Sequence, residues 1–258
     1  MWEPLITTDR LKDMSDDEIK DVFRRCVKET VVVFKDQDLT PEDELRICSV
    51  VGKVQPTLSE RSKDISTIEG IIRVTGKKNE RGQPGLFGHV SALDWHANQP
   101  SNPDRYPLIW LHGMEETLGS RTSYINMIEA YDDLPEKLKF LAEGVTFYCG
   151  YKKGMYSESD FHKEHINYDV PRKLVVTNEE TQTGLFFPFL QILDWQGPDI
   201  KEELMEHVLN EKYVYHHDWE DGDVVIAEQW LGVHKRWPFA RMEQRVLHRI
   251  ALDHSCLY

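Results

Sequence analysis

One short segment organises this sequence: Ala92-Leu93-Asp94-Trp95-His96-Ala97-Asn98-Gln99. In an extended strand successive side chains point to opposite faces, so we expect Asp94, His96 and Asn98 on one face. A histidine followed two residues later by a carboxylate is typical of one half of a mononuclear iron site. Here the sequence reads His-x-Asn. The segment therefore predicts a metal-binding strand with an amide where a carboxylate is usual.

A second imidazole must come from a distant part of the chain. A facial iron site has two imidazoles and normally one carboxylate, which leaves three positions for an oxoacid and dioxygen. The candidate for the second imidazole is His234, at the end of Glu228-Gln229-Trp230-Leu231-Gly232-Val233-His234. Arg245 follows it, and the planar fork of a guanidinium is suited to binding a carboxylate.

This order of a His-x-Asn strand, a distant histidine and then an arginine resembles the taurine dioxygenase (TauD/TfdA-like) family of Fe(II)/2-oxoglutarate dioxygenases. Two more segments are similar to that family, Phe34-Lys35-Asp36-Gln37-Asp38-Leu39-Thr40-Pro41 and Trp219-Glu220-Asp221-Gly222-Asp223-Val224-Val225-Ile226. The resemblance spans most of the chain, from about Val31 to Ala251. It implies Fe(II), 2-oxoglutarate as cosubstrate and a double-stranded β-helix.

The resemblance also implies roles for individual residues. His96 and His234 would hold the iron. Arg245 and the hydroxyl of Thr122 would bind the distal carboxylate of 2-oxoglutarate. Arg249 lies four residues after Arg245, so an extended strand directs both to one face, and Arg249 would bind an anionic group of the substrate.

Asn98 is the departure from the family, and four explanations compete for it. Its amide oxygen binds the metal more weakly than a carboxylate, because the charge attraction is lost. The position could instead be left to water or halide, as in related halogenases. Asp94, on the other side of His96, could supply the missing anion. Finally, the metal could be lost and the protein could be a binding module.

Other polar residues are weaker candidates. His89 and Tyr124 would line the substrate pocket. Glu228 matches an acidic position in the family and is expected to orient a ligand or a backbone amide. His162 and His165 have no companion Cys or Asp, and we interpret them as solvated surface.

Size and composition favour one soluble domain over residues 1–258. Hydrophobic residues make up 40% and charged residues 29% of the chain, and no stretch is as long and apolar as a membrane span. The N-terminus, Met1-Trp2-Glu3-Pro4, has neither a basic lead nor an apolar core, so we expect a cytoplasmic protein.

Charge and cysteine usage exclude other classes. The net charge of −14 disfavours nucleic acid as a partner, although an arginine-lined pocket can still bind a small anion. The four cysteines have no C-x-x-C spacing, which predicts reduced thiols rather than a zinc site or a disulfide framework.

Strands scattered along the whole chain predict a mainly β protein with flanking helices, a cupin-like jelly roll rather than a βαβ fold. Helices are predicted after the caps Ser15 and Thr40, over Met127–Glu143 with a break near Pro135, and over Asp199–Asn210 with a cap. The polar loop Lys77–Gly88 is predicted to act as a lid. Strands are predicted at Thr30–Phe34, within Ile65–Thr75, and at Leu108–His112, Thr122–Asn126, Val145–Gly150, Thr183–Leu190, Tyr213–His217, Val224–Glu228 and Val246–Leu252.

Together these features predict an Fe(II)- and 2-oxoglutarate-dependent oxygenase that hydroxylates or otherwise oxidises a C–H bond of a small anionic or zwitterionic metabolite. Its partners would be that metabolite, 2-oxoglutarate and dioxygen, with neither nucleic acid nor membrane, and a homo-oligomer is left open. Two alternatives remain: a non-catalytic jelly-roll binding protein without the carboxylate ligand, and a 2-oxoglutarate-dependent halogenase.

Overall fold

Two capped helices begin the fold where the sequence predicts them. The computed structural model describes residues 2–56, 68–78, 82, 86–87, 92–102, 106–150, 170–241 and 243–258. Ser15 caps Asp16–Glu29 (α1) and Thr40 caps Pro41–Val51 (α2), each in a reciprocal capping box with the residue three positions on. Proline at the first position of α2 gives up no hydrogen bond there.

Three shorter α-helices, three 3-10 helices (Leu11–Asp13, Phe189–Gln191 and Glu211–Tyr213) and sixteen strands complete the described elements. The α-helices are Met127–Asp132 (α3), Glu136–Glu143 (α4) and Lys201–Val208 (α5). The strands β1 to β16 are, in chain order, Leu5–Thr7, Val31–Phe34, Ile72–Thr75, Leu86–Phe87, Leu93–His96, Leu108–Glu115, Arg121–Asn126, Thr146–Cys149, Arg172–Lys173, Val175–Thr177, Thr183–Leu185, Ile192–Gln196, Val214–Asp218, Val224–Glu228, Gly232–Arg236 and Val246–Leu252.

Two sheets build the centre of the molecule. The larger has the strand order β1-β2-β14-β6-β16-β3-β4, and the smaller has the order β13-β7-β15-β5. Nearly all of their pairings are antiparallel and join strands far apart in sequence, such as β6 with β16 and β5 with β15. This arrangement, with the structural similarities reported below, confirms the predicted jelly roll.

The buried side chains fall into three layers, because alternate residues of each strand face opposite sides. Between the two sheets, Leu111, Val225 and Leu247 of the larger sheet pack with Tyr124 of the smaller one. We call the two sheet surfaces that line this layer the inner faces. The outer face of the larger sheet packs on α1 and α2, and the outer face of the smaller sheet packs on α3, α4 and α5.

Three local predictions are wrong. The strand predicted at Thr183–Leu190 ends at Leu185, and Phe189–Gln191 form a short 3-10 helix after Pro188. The helix predicted with a cap from Asp199 begins at Lys201, and its preceding residue, Ile200, makes no side-chain capping bond. Regular alternation in β5 also fails, because His96 pairs with His234 while Leu93 pairs with Arg236. The extra residue on β5 is a β-bulge, which interrupts the alternation of faces.

Several expectations lie outside the described residues. Most of the predicted lid, Lys77–Gly88, belongs to this group, and so do His89, His162 and His165. Within the part of the chain that is described, no helix is both long enough and apolar enough to cross a bilayer.

Candidate active site

The inner face of the smaller sheet carries two rows of polar and aromatic side chains. In the first row His234 lies directly opposite His96 on one side and Tyr124 on the other. In the next row, two residues along, Arg236 lies opposite Thr122. Residues that pair directly share a face of the sheet, so the strand register alone brings these side chains together.

The two candidate metal-binding histidines are in contact. The ring centroids of His96 and His234 are 4.2 Å apart, with an angle of 48° between the ring planes. His96 Nδ1 lies 2.6 Å from the backbone oxygen of Asp94. A carbonyl oxygen only accepts, so Nδ1 carries the proton and Nε2 keeps a lone pair that a metal ion can use.

Burial keeps both rings neutral. It lowers the pKa of His96 to about 4, with a smaller contribution from the charge of Arg236. It also lowers the pKa of His234 well below its ordinary value, and the charges of His96 and Arg249 act in the same direction. A neutral imidazole is the form that binds metals, so the pair is ready to do so at neutral pH.

Two buried glutamines hold the chain that follows His96. Gln191 binds the backbone of Ala97 at both ends: its Oε1 accepts from the amide nitrogen at 2.8 Å and its Nε2 donates to the carbonyl at 3.0 Å. Gln229 Oε1 accepts from the backbone nitrogen of Asn98 at 2.8 Å and from its side-chain Nδ2 at 2.7 Å. The two residues that follow His96 in the chain are therefore fixed by side chains from distant segments.

Asp94 does not join the histidine pair. Its side chain is 61% exposed, and its Oδ1 lies 3.0 Å from Lys235 Nζ. The bulge in β5 is the physical reason, since His96 is buried while Asp94 turns outward beside Lys235. Within the described part of the chain, no three His, Cys, Asp or Glu side chains are grouped so as to hold a metal.

Arg245 is a buried cation that no described residue neutralises. Its side chain is fully buried, and none of its three guanidinium nitrogens has a hydrogen-bond partner among the described residues. Burial, with the nearby charge of Arg236, lowers the pKa of Arg245 to about 9. The ring of Phe239 lies 5.8 Å from its guanidinium carbon. An unpaired buried guanidinium is a binding group for an anion, most simply a carboxylate.

The other predicted pocket residues also lie on the inner faces. Thr122 Oγ1 accepts a hydrogen bond from Trp219 Nε1 at 2.9 Å, so its own hydrogen can be donated to another acceptor. Arg249 is buried and pairs across the ladder with Leu111, which belongs to the layer between the sheets. Tyr124 is buried, and its hydroxyl has no hydrogen-bond partner among the described residues.

Glu228 holds the turn that leads to His234. Its two carboxylate oxygens accept from the backbone nitrogens of Trp230 and Leu231, each at 2.7 Å. Charge-assisted bonds of this kind are strong, and they fix the chain just before β15. Glu228 therefore orients backbone amides, one of the two roles expected for it.

Sequence reasoning missed three residues around this site. Arg236 could have been found, because it lies two positions after His234 on a strand and must share its face. Gln191 and Gln229 carried no such signal, since their roles depend on contacts with a segment far away in sequence. The arrangement as a whole suits a metal ion bound by neutral imidazoles, with the buried cation of Arg245 available for a carboxylate.

Comparisons with known proteins agree with this chemistry. The family model described as "Taurine catabolism dioxygenase TauD, TfdA family" matches residues 4–251. An alpha-ketoglutarate-dependent 2,4-dichlorophenoxyacetate dioxygenase of Burkholderia sp. (strain RASC) is 23% identical over 257 residues, covering 92% of this chain and 86% of that protein. An (S)-phenoxypropionate/alpha-ketoglutarate-dioxygenase of Sphingobium herbicidovorans is 24% identical, with coverage of 96% and 91%.

Solved structures share the fold. The crystal structure of AAD-2 in complex with Mn(II) and N-oxalylglycine superposes with a TM-score of 0.77 at 17% identity, covering 99% of this chain and 95% of that one. A taurine dioxygenase from Burkholderia xenovorans gives 0.72 at 18% identity, with coverage of 97% and 88%. With nearly the whole length matched by the family model, the chain belongs to the TauD/TfdA family of dioxygenases, enzymes that use Fe(II) and 2-oxoglutarate.

Proposed function

We propose that this protein oxidises a C–H bond of a small anionic substrate at an iron centre held by His96, His234 and Asn98. Arg245 and Thr122 bind the distal carboxylate of 2-oxoglutarate in this proposal. The observation that carries it is the buried guanidinium of Arg245, which has no hydrogen-bond partner in the described part of the chain. An unpaired charge inside a protein is costly, so we infer that the site pairs Arg245 with an anion when the cosubstrate binds.

The residues fit the metal and the cosubstrate. His96 offers Nε2 as a lone pair because its Nδ1 proton is held by the Asp94 carbonyl, and burial keeps both imidazoles neutral. Asn98 would add an amide oxygen. Iron(II), when bound with 2-oxoglutarate and dioxygen, supplies the oxidising chemistry. The protein residues supply orientation, a dry interior and a fixed place for each carboxylate.

An anionic substrate is supported by Arg249. This arginine is buried on the inner face of the larger sheet, and its charge lowers the pKa of both candidate metal-binding histidines. Two relatives are named for acting on 2,4-dichlorophenoxyacetate and on (S)-phenoxypropionate, both of which are carboxylates. We propose that a substrate carboxylate, or a similar anionic group, pairs with Arg249.

An anaerobic titration with Fe(II) and 2-oxoglutarate tests this function. We expect a weak visible charge-transfer band, because the oxoacid end of 2-oxoglutarate would chelate the iron. His96→Ala should abolish the band and Arg245→Met should weaken 2-oxoglutarate binding. No band in the wild-type protein would favour a non-catalytic binding module. A band that changes with chloride, followed by a chlorinated product, would favour halogenation.

A further inference from the structure

We infer that Gln229 is a positioning residue that holds the side chain of Asn98 by its nitrogen and leaves Oδ1 as the atom offered to a metal ion. The inference rests on the proposed function. It also explains how the amide of Asn98 can take the place of the family's carboxylate, because the hydrogen bond from Nδ2 to Gln229 leaves the oxygen, Oδ1, available.

The donors and acceptors fix the orientation of both amides. The backbone nitrogen of Asn98 can only donate, so the Gln229 atom 2.8 Å from it must be Oε1. Oε1 can only accept, so the Asn98 side-chain atom 2.7 Å from it must be Nδ2. Nitrogen and oxygen of an amide are thereby distinguished by backbone groups. Oδ1 of Asn98 is the atom left for a further partner.

The side-chain amide of Gln229 is held against a rotation that would exchange its Oε1 and Nε2. It is only 2% exposed, and its Nε2 donates to the backbone oxygen of Tyr106 at 3.3 Å. Its backbone nitrogen donates to the oxygen of Pro107 at 2.9 Å. A flipped side chain would set Nε2 against the Asn98 N–H and Oε1 against the Tyr106 carbonyl. Because Nε2 would also face Asn98 Nδ2, three like pairs would replace three hydrogen bonds, and each lost bond in the interior is costly.

The same geometry selects an amide over a carboxylate at position 98. An aspartate there would place an oxygen where Nδ2 now lies 2.7 Å from Gln229 Oε1, and two acceptors would meet without a proton between them. Asn98 and Gln229 therefore form a matched pair. Residues that orient metal ligands in this way commonly change metal affinity by about 10–100-fold when they are removed.

The test compares Mn(II) binding in single and double variants. Mn(II) is titrated into anaerobic protein with 2-oxoglutarate present, and free Mn(II) is measured by electron paramagnetic resonance, which needs no turnover. Gln229→Met keeps the length of the side chain but removes the acceptor. We expect it to weaken Mn(II) binding by roughly 10–100-fold in the wild-type background. In the Asn98→Ala background it should change the affinity by less than about two-fold, the usual error of additivity.

Gln191→Met is the matched control. Gln191 is also a fully buried glutamine beside the same segment, but it binds the backbone of Ala97 rather than a candidate ligand side chain. Any effect of Gln191→Met on Mn(II) affinity should be the same with and without Asn98. Thermal unfolding confirms that each variant is folded. If Gln229→Met does not fold, Gln229→Asn withdraws the acceptor with a smaller change.

The outcomes separate the inference from the function. Wild-type protein that binds no Mn(II), or a His96→Ala variant that binds it unchanged, overturns the proposed function and the inference with it. Wild-type binding that depends on His96 but is unaffected by Gln229→Met overturns the inference alone. The same is true if Gln229→Met weakens binding equally in the wild-type and Asn98→Ala backgrounds, since a general structural role would do that.

Discussion

Replacing Arg245 by methionine should make the ligand-free protein more stable and less able to bind 2-oxoglutarate. The guanidinium is fully buried, and its three nitrogens have no hydrogen-bond partner among the described residues. Burial and the charge of Arg236 lower its pKa well below the ordinary value of an arginine, to about 9. At about 1.4 kcal/mol for each pKa unit, the charged form is disfavoured in the folded state by roughly 5 kcal/mol.

The Arg245→Met variant should recover only part of the free-energy cost of burying the Arg245 charge. The methionine side chain would keep much of the packing of the arginine stem but lose the contact between the guanidinium and the ring of Phe239. Replacing a buried ion pair by apolar groups of similar volume is often neutral or stabilises by about 1–4 kcal/mol, and we expect a gain within that range for this unpaired charge. For a chain of this length we therefore expect the melting temperature to rise by roughly 2–4 °C per kcal/mol gained.

The lowered pKa of Arg245 also determines how the stability of the fold depends on pH. The folded-state pKa of Arg245 lies below its unfolded value, so the penalty is complete below about pH 9 and is relieved as the pH rises from about 9 towards the unfolded-state pKa. At neutral pH the wild-type protein carries all of it. The gain in stability from Arg245→Met should therefore be largest at neutral pH.

Urea unfolding followed by tryptophan fluorescence measures both effects, with and without Mn(II) and 2-oxoglutarate. A ligand at 100 times its dissociation constant should stabilise the wild-type protein by about 2.7 kcal/mol and the variant by much less. Arg245→Lys is the control: it keeps a buried charge but loses the planar fork, so it should bind 2-oxoglutarate weakly without gaining stability. An Arg245→Met protein that is less stable than wild type, or equally stabilised by 2-oxoglutarate, would refute the reasoning.

Three further variants test the surroundings of the site. Glu44→Gln should destabilise the fold by roughly 3–5 kcal/mol, because the buried Glu44 carboxylate bonds His112 at 2.5 Å and His248 at 2.8 Å. Burial acts to raise the pKa of Glu44, but the two hydrogen bonds outweigh it and lower that pKa. The carboxylate therefore stabilises the fold above its unfolded-state pKa, and this stabilisation is lost as the pH falls. The urea midpoints of variant and wild type should converge in acid. Glu228→Gln should cost about 1–3 kcal/mol in chemical unfolding, since only one of its two bonded backbone amides keeps an acceptor. Gly232→Ala should destabilise the fold by roughly 1–3 kcal/mol, because the added Cβ would lie 2.6 Å from the backbone oxygen of Glu228. The measurement is the melting temperature, and an unchanged value would contradict this close contact.

The sequence predicted the elements whose signals are local. The capping boxes at Ser15 and Thr40 mark the starts of α1 and α2, and β14 and β16 begin and end where their apolar runs do. The order of the two histidines and the arginine indicated the family, which the match over residues 4–251 confirms.

What could not be predicted depends on contacts across the fold. The bulge in β5 arises from pairing with β15, and it sends Asp94 outward to Lys235 rather than inward beside His96. The partnership of Asn98 with Gln229 is invisible in the sequence, because nothing local to either residue distinguishes a bonded amide from an ordinary one. The roles of the candidate site residues stay predictions: iron binding by His96, His234 and Asn98, 2-oxoglutarate binding by Arg245 and Thr122, and substrate binding by Arg249.

The pairing of β5 has a consequence for how the protein is made. Within the described part of the fold, β5 is an edge strand of the smaller sheet, and β15 is its one neighbour. A nascent chain must therefore expose residues 93–96 until the ribosome has synthesised residues 232–236. Contacts between such distant segments fold slowly, and unpaired strands are prone to aggregate meanwhile. Chains that end before residue 236 should accumulate as insoluble material rather than as a partly working oxygenase.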